Sequence, residues 1–156
     1  MGETAVLKTD SLGPSKKLIC MVGLPYSGKS TIARNCGKGH PIVCPDAIRV
    51  SLHGHKFIPE AEPHVWAIAK TMVRALFMAG HDRVILDATN ATEDRRKEWV
   101  SRDWLTEWYE VKTPADVCLQ RAKDAGDDHI LPIIESMASK LTFPSDEGAP
   151  PGEAAV

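Results

Sequence analysis

Short apolar runs alternate with longer segments of helical periodicity through the middle of the 156-residue chain. An apolar run that stops at a turn residue, as residues 18–22 stop at Gly23, is typical of a strand buried on both faces. The runs predicted to be strands are 18–22, 42–44, 83–87 and part of 105–111. The segments predicted to be helices are 30–36, 62–79, 92–102, 114–121 and 132–140. This alternation predicts an α/β fold with a central parallel β-sheet of four or five strands flanked by helices.

A phosphate-binding loop joins the first predicted strand to the first predicted helix. It matches the pattern G-x-x-x-x-G-K-[ST] in the context that the pattern requires. Its glycines let backbone N–H groups converge on a polyphosphate, Lys29 supplies a positive charge, and the Ser30 hydroxyl is placed to coordinate Mg²⁺. We therefore predict that the chain binds a nucleoside triphosphate with Mg²⁺. The residues predicted to bind it are Gly23, Leu24, Pro25, Tyr26, Ser27, Gly28, Lys29, Ser30 and Thr31.

An aspartate, Asp87, comes at the end of the third predicted strand. The carboxyl ends of parallel strands line the ligand crevice of an open α/β sheet. We expect Asp87 to support the metal site through a bound water. The alternative is a turn or helix-capping aspartate, because the residues that follow it are typical of a turn.

Asp46 and Arg49 follow the second predicted strand. Their spacing of three places both side chains on one face of a short helix. Asp46 is placed to accept a proton from an attacking hydroxyl, and Arg49 to hold an anionic group of the acceptor. Taken alone, the pair would more often be an N-cap and a surface ion pair, but its place at the carboxyl end of the strand after the P-loop helix favours the catalytic interpretation.

Three segments occur along the chain in the order GLPYSGKST, PDAIR and VILDATN, and the last is followed by Glu93-Asp94-Arg95-Arg96. With these segments in this order, the sequence resembles the bacteriophage-type polynucleotide 5′-hydroxyl kinases and their small P-loop kinase relatives. The resemblance covers roughly residues 18–140. It implies the P-loop kinase fold, Mg-ATP as the phosphate donor, and transfer of the γ-phosphate to a hydroxyl. The first candidate acceptor is the 5′-OH of a polynucleotide, DNA or RNA. The resemblance also makes Asp46 the general base, Arg49 the ligand of the acceptor phosphate and Asp87 a support of the metal site.

The segment that corresponds to the family's lid, residues 121–128, departs from this pattern. Arg121 matches the first lid arginine, but Ala125 stands where a second would be expected. Either Arg121 or Lys123 takes the role, or the enzyme is slow or uses another acceptor. The alternatives are a kinase for a hydroxymethylated DNA base such as 5-hydroxymethyluracil, a kinase for a small metabolite or nucleotide, and a catalytically weak ATP-binding module. Without a D-x-D-G motif, we expect no 3′-phosphatase activity.

The composition of the chain limits the classes of partner that it is expected to bind. Nineteen basic and 21 acidic residues give a net charge of −2, which argues against a surface that coats nucleic acid. The basic residues Arg95, Arg96, Lys97 and Arg102 either line an acceptor channel or belong to a solvated helix face. Trp99, Trp104 and Trp108 are interpreted as core residues rather than base-stacking ones. With scattered cysteines, no signal peptide and no apolar run near 20 residues, we expect a cytoplasmic protein without membrane contact, and predict no protein partner.

Three segments are predicted from these patterns. Residues 1–15 are polar and are expected to form a flexible arm. Residues 16–142 are expected to form the P-loop kinase domain. Residues 143–156 are rich in Pro, Gly and acidic residues and are expected to form a disordered tail.

Overall fold

The fold is built on four parallel strands, which a computed structural model describes together with the rest of residues 14–54 and 57–146. The strands are Lys17–Val22 (β1), Ile42–Val43 (β2), Arg83–Leu86 (β3) and Leu105–Glu110 (β4). They lie in the order β2-β3-β1-β4. In register, Leu18 of β1 lies opposite Val84 of β3 and Thr106 of β4. The predicted parallel sheet is therefore confirmed, with four strands.

Six α-helices connect and flank these strands within the described residues. They are Lys29–Cys36 (α1), Pro45–His53 (α2), Glu62–Met78 (α3), Glu93–Lys97 (α4), Ala115–Asp124 (α5) and Leu131–Lys140 (α6). Short 3₁₀ turns occur at Pro59–Ala61, Asp128–Ile130 and Pro144–Asp146. None of the helices in these parts of the chain is long and apolar enough to cross a membrane.

Helices cover both faces of the sheet because successive side chains of a strand point to opposite sides. On one face, Val65 and Val73 of α3 are fully buried in a cluster that includes Leu18. On the other face, Ala33 of α1 packs with Met21. The continuous apolar run of β1 is thus explained by burial on both sides.

The fourth helix is shorter than predicted. The pattern over 92–102 predicts one helix, but α4 ends at Lys97. Beyond it, the backbone carbonyl of Trp99 accepts hydrogen bonds from Trp104 Nε1 at 2.9 Å and Thr106 Oγ1 at 2.7 Å, so it cannot continue a helical ladder. Trp99 and Trp104 are buried, which confirms their predicted core role, and Trp108 packs against the same cluster.

The predicted basic cluster is divided by the fold. Arg96 is only 3% exposed and donates hydrogen bonds to the backbone carbonyls of Asn90 and Thr142 at 2.9 and 2.8 Å. It therefore belongs neither to an acceptor channel nor to a solvated face. Arg95 pairs instead with Glu98 on the surface at 3.1 Å.

Residues 1–13 of the predicted arm and 147–156 of the predicted tail lie outside the described residues, whereas residues 143–146 of the tail are described and include the 3₁₀ turn Pro144–Asp146. Residues 14 and 15 have no regular structure. At the other end, Ser145 donates hydrogen bonds to the carboxylate of Glu110 through its backbone N–H at 2.8 Å and its hydroxyl at 2.6 Å. These bonds attach the start of the predicted tail to β4.

Candidate active site

The phosphate-binding loop lies between β1 and α1 and has an unusual backbone. Tyr26 and Gly28 have φ values of 64° and 99°, in the left-handed region. Positive φ at intervals turns successive N–H groups inward to form an anion-binding nest. A Cβ on Gly23 would lie 2.8 Å from the carbonyl oxygen of Val111, so the loop can approach the segment after β4 only with a glycine there.

Lys29 is the first residue of α1 and its side chain is buried beneath the loop. Its Nζ donates a hydrogen bond of 2.7 Å to the carbonyl oxygen of Leu24. Burial lowers the pKa of Lys29, and the nearby carboxylates of Asp87 and Asp46 oppose this effect. The ammonium group is therefore held within the loop at the position where a polyphosphate would be gripped.

Ser30 and Asp87, the two predicted metal-site residues, are brought together. The hydroxyl of Ser30 donates to Asp87 Oδ2 at 2.7 Å, and Asp87 is only 8% exposed. The backbone N–H of Asp87 donates to the carbonyl of Val43 at 2.8 Å, which fixes the aspartate to β2. A hydroxyl and a carboxylate are the oxygen donors that Mg²⁺ prefers, so these residues fit the predicted ion.

Asn90, which sequence reasoning left without a role, supports the segment that carries Asp87. It is fully buried, has a φ of 45°, and donates from Nδ2 to the carbonyl of Met21 at 2.8 Å. Asparagine is one of the few residues with a side chain that tolerates this left-handed backbone. The bond ties the turn after β3 to β1.

Asp46 lies in the first turn of α2, directly after β2. Its side chain is 87% exposed and accepts a hydrogen bond of 2.6 Å from Arg49 Nη1. Asp46 lines the same cavity as Lys29 and Ser30. The predicted base thus faces the predicted donor site.

Arg49 has a partner that sequence reasoning missed. Its Nε and Nη2 donate to the two carboxylate oxygens of Glu62 at 2.8 and 2.6 Å, a bidentate pair with both side chains mostly buried. The pairing raises the pKa of Arg49 and lowers the pKa of Glu62, chiefly through these hydrogen bonds. Glu62 begins α3, and no motif marked it because the contact depends on how α2 and α3 pack.

Arg121 and Asp127 bring the predicted lid onto the phosphate-binding loop. Arg121 lies on α5, and its Nη1 donates to the backbone carbonyl of Tyr26 at 3.2 Å. The phenol of Tyr26 donates to Asp127 Oδ2 at 2.8 Å, and this bond raises the pKa of Tyr26. Lys123 is exposed on α5 and does not line the cavity.

One cavity of about 530 Å³ collects most of the predicted site. Gly23, Leu24 and Ser27 are buried behind it, and Arg49 stands outside it. The predicted residues that line it are Pro25, Tyr26, Gly28, Lys29, Ser30, Thr31, Asp46, Asp87 and Arg121. A polyphosphate nest, an oxygen pair suited to Mg²⁺ and an exposed carboxylate therefore share one space.

This fold and cavity are those of a P-loop kinase-like protein. The chain belongs to the AAA domain family, whose sequence model matches residues 18–129. No curated relative matches the chain. The predicted P-loop kinase fold is confirmed, whereas the resemblance to the phage-type enzymes in particular stays a prediction.

Solved structures of similar fold include kinases and RNA-repair proteins. A chain of the Pnkp1/Rnl/Hen1 RNA repair complex matches with a TM-score of 0.70 and 20% identity, over 86% of this chain and 46% of that one. A chain of a Pnkp1/Rnl/Hen1 complex matches with a TM-score of 0.60 and 26% identity, over 68% and 38%. The Mycobacterium tuberculosis APS kinase CysC, in complex with AMPPNP and APS, matches with a TM-score of 0.57 and 19% identity, over 84% of each chain. The present chain spans less than half the length of the RNA-repair chains.

Proposed function

We propose that the chain is a kinase that transfers the γ-phosphate of Mg-ATP to the 5′-hydroxyl of a polynucleotide. The observation that carries this proposal is the exposed carboxylate of Asp46 in the same cavity as Lys29 and Ser30. A carboxylate in this position can accept the proton of a hydroxyl that attacks the γ-phosphorus. The 26% identity to a chain of a Pnkp1/Rnl/Hen1 complex, together with the match to a chain of the Pnkp1/Rnl/Hen1 RNA repair complex, supports a nucleic-acid acceptor.

On the donor side, the backbone nest and Lys29 bind the triphosphate. When the nucleotide binds, Lys29 gives up its hydrogen bond to the Leu24 carbonyl and donates to the phosphate oxygens instead, because a hydrogen bond from an ammonium group to an anion is the stronger one. Ser30 and Asp87 would hold Mg²⁺, which when bound neutralises charge on the phosphates. Arg121, whose Nη1 donates a hydrogen bond to the backbone carbonyl of Tyr26, is the arginine to which we assign stabilisation of the transferring phosphoryl group.

On the acceptor side, Asp46 accepts the proton of the attacking hydroxyl. The hydroxyl oxygen forms a bond to the γ-phosphorus, the bond from that phosphorus to the β–γ bridging oxygen breaks, and ADP leaves with the electron pair. Arg49 orients Asp46 through the bond from Nη1. Among the described residues, three of the five N–H groups of Arg49 donate to Asp46 and Glu62. The other two can donate to an acceptor phosphate.

Transfer of radiolabel from γ-labelled ATP tests the proposal. We expect label on a 5′-OH oligonucleotide, and we expect Asp46→Asn to reduce the rate by about 10²- to 10⁴-fold, the range for loss of a general base. Asp82→Asn is the matched control, because Asp82 is exposed at the far end of β3. Label only on hydroxymethylated duplex DNA or on a small alcohol would contradict a 5′-hydroxyl acceptor.

A second candidate is a catalytically weak ATP-binding module. The observation that favours it is the lid segment 121–128, which has one arginine and places the carboxylate of Asp127 against the phosphate-binding loop. Negative charge at that position disfavours a polyphosphate. Tight ATP binding by calorimetry, with no transfer to any acceptor in the panel, would identify the module.

A further inference from the structure

A second cavity, of about 600 Å³, lies where the start of α3 faces α4. Its walls are formed by Pro63, Trp66 and Lys70 on one side and by Arg95 and Glu98 on the other. Glu62, the partner of Arg49, also lines it. Of the basic residues that the sequence offered for an acceptor channel, Arg95 alone lines this space among the described residues.

The second cavity adjoins the candidate active site through Arg49. One edge of the guanidinium binds Asp46 of the first cavity at 2.6 Å, and another binds Glu62 of the second at 2.8 and 2.6 Å. A single planar group therefore separates the proposed base from the second cavity. We expect an acceptor whose hydroxyl lies at Asp46 to extend past Arg49 toward this space.

The lining favours a flat, neutral group over an anion. The guanidinium of Arg95 lies over the ring of Trp66, with 4.1 Å from Cζ to the ring centroid. Arg95 also pairs with Glu98 at 3.1 Å, and among the lining residues the two carboxylates, Glu62 and Glu98, equal in number the two cations, Lys70 and Arg95. Stacked arginine and tryptophan planes are surfaces on which nucleobases stack in single-stranded nucleic-acid sites.

We propose that this second cavity binds a nucleobase of the acceptor strand, one of the first two from its 5′ end. This inference rests on the proposed function, since it places the base while the terminal hydroxyl lies at Asp46. The base stacks against Arg95 and Trp66, while Glu98, the partner of Arg95, and Lys70, whose Nζ lies 5.6 Å from the Trp99 ring centroid, offer an acceptor and a donor to its edge. The acceptor is thus recognised as a nucleotide and not only as an alcohol.

The experiment measures KM for 5′-OH oligonucleotides of one sequence with an abasic residue at position 1, at position 2 or nowhere. We expect one abasic substrate to raise KM by about fivefold or more, the scale for loss of one stacked base. The test variant is Arg95→Lys, which keeps the charge but removes the plane. In that variant, KM for the intact and the abasic substrates should agree within about twofold.

Arg74→Lys is the matched control. Arg74 also lies over a tryptophan, 5.3 Å from the ring centroid of Trp104, and pairs with a carboxylate, Asp103, at 3.1 Å, but it lies outside the cavity. It should keep the full difference between intact and abasic substrates. Melting curves show whether either variant has lost its fold.

Each outcome decides the matter. If the oligonucleotides are phosphorylated with equal KM, the inference is overturned and the proposed function stands. If abasic substrates are penalised but Arg95→Lys behaves like Arg74→Lys, a base is recognised elsewhere and the assignment to this cavity is wrong. If no oligonucleotide is phosphorylated, the proposed function fails and the inference fails with it.

Discussion

The phenol of Tyr26 donates a hydrogen bond of 2.8 Å to the carboxylate of Asp127, 101 residues further along the chain. The bond joins the phosphate-binding loop to the segment after α5. It also places a negative charge on the wall of a cavity suited to a polyphosphate. The contact that joins the two segments therefore brings a carboxylate to a position where it would repel a bound polyphosphate.

The first prediction concerns that charge. Asp127→Asn keeps an oxygen for the Tyr26 phenol but removes the charge, so we expect Mg-ATP to bind about two- to fivefold more tightly, the scale of a partly exposed charge pair. Calorimetry with a non-hydrolysable analogue measures it. Asp124→Asn is the control, because Asp124 is exposed and bonds to Gln120 outside the cavity. Weaker binding by Asp127→Asn would mean that the carboxylate serves the nucleotide.

The second prediction concerns Glu62 and the stability of the fold. Glu62 and Arg49 are 13% and 16% exposed, so loss of one charge leaves the other poorly solvated. We expect Glu62→Gln to lower the free energy of unfolding by about 1–3 kcal/mol in urea denaturation. The nearby exposed Glu60→Gln should change it by less than about 0.5 kcal/mol. Equal effects of the two substitutions would contradict a role for the ion pair.

The third prediction is the pH dependence of that difference. The pKa of Glu62 is lowered in the fold, chiefly by its hydrogen bonds from Arg49. The stabilisation is therefore fully present above the ordinary glutamate pKa of about 4.3 and is lost as the pH falls through the lowered value. Urea denaturation across this range should show wild type and Glu62→Gln converging in acid. A constant difference down to the lowest pH would show that the pKa is not lowered.

The fourth prediction concerns the metal site. Asp87→Asn keeps an acceptor for the Ser30 hydroxyl but removes the charge that supports Mg²⁺, so we expect kcat/KM to fall by at least about 100-fold, the scale for loss of one preorganised charged or polar group. The metal requirement should shift to higher magnesium concentration in the same assay. Asp82→Asn, at the opposite end of β3, should leave both unchanged. Unchanged activity in Asp87→Asn would remove this residue from the site.

The fifth prediction separates a structural arginine from a substrate-binding one. Arg96→Ala deletes a buried guanidinium that satisfies two backbone carbonyls, so the free energy of unfolding should fall by about 2–4 kcal/mol. Lys97→Ala, which removes the exposed neighbour, should change it by less than about 0.5 kcal/mol. Thermal melting of both variants is the measurement. A stable Arg96→Ala variant with a raised KM for oligonucleotide would restore the acceptor-channel interpretation.

The donor half of the site could be predicted because its signals are local. The loop from Gly23 to Ser30 lies directly between a strand and a helix, so the residues that define all three elements are consecutive in the sequence. Asp87 was predictable for a related reason, since the end of a parallel strand has a known place in such a sheet. The structure brings Ser30 and Asp87 together at 2.7 Å.

The acceptor half was less accessible because its contacts join separate elements. Arg49 and Glu62 are 13 residues apart, and their pairing depends on the packing of α2 against α3. The helix predicted over 92–102 ended early for a local reason, because the Trp104 side chain, five residues away, donates to the Trp99 carbonyl in place of a backbone N–H. The sequence pattern could not distinguish Arg96, which is buried, from an exposed arginine, because a helix of five residues is too short to show which of its faces is buried.

The order of the strands has a consequence for how such a chain can diverge. The phosphate-binding loop follows β1, which has hydrogen-bonded neighbours on both sides, whereas Asp46 follows β2, a two-residue strand at the margin of the sheet. Remodelling at the margin disturbs one neighbour instead of two. Substitutions in the peripheral segment after β2 can therefore adapt the site to new acceptors, while the loop after the interior strand β1 keeps a geometry suited to a triphosphate.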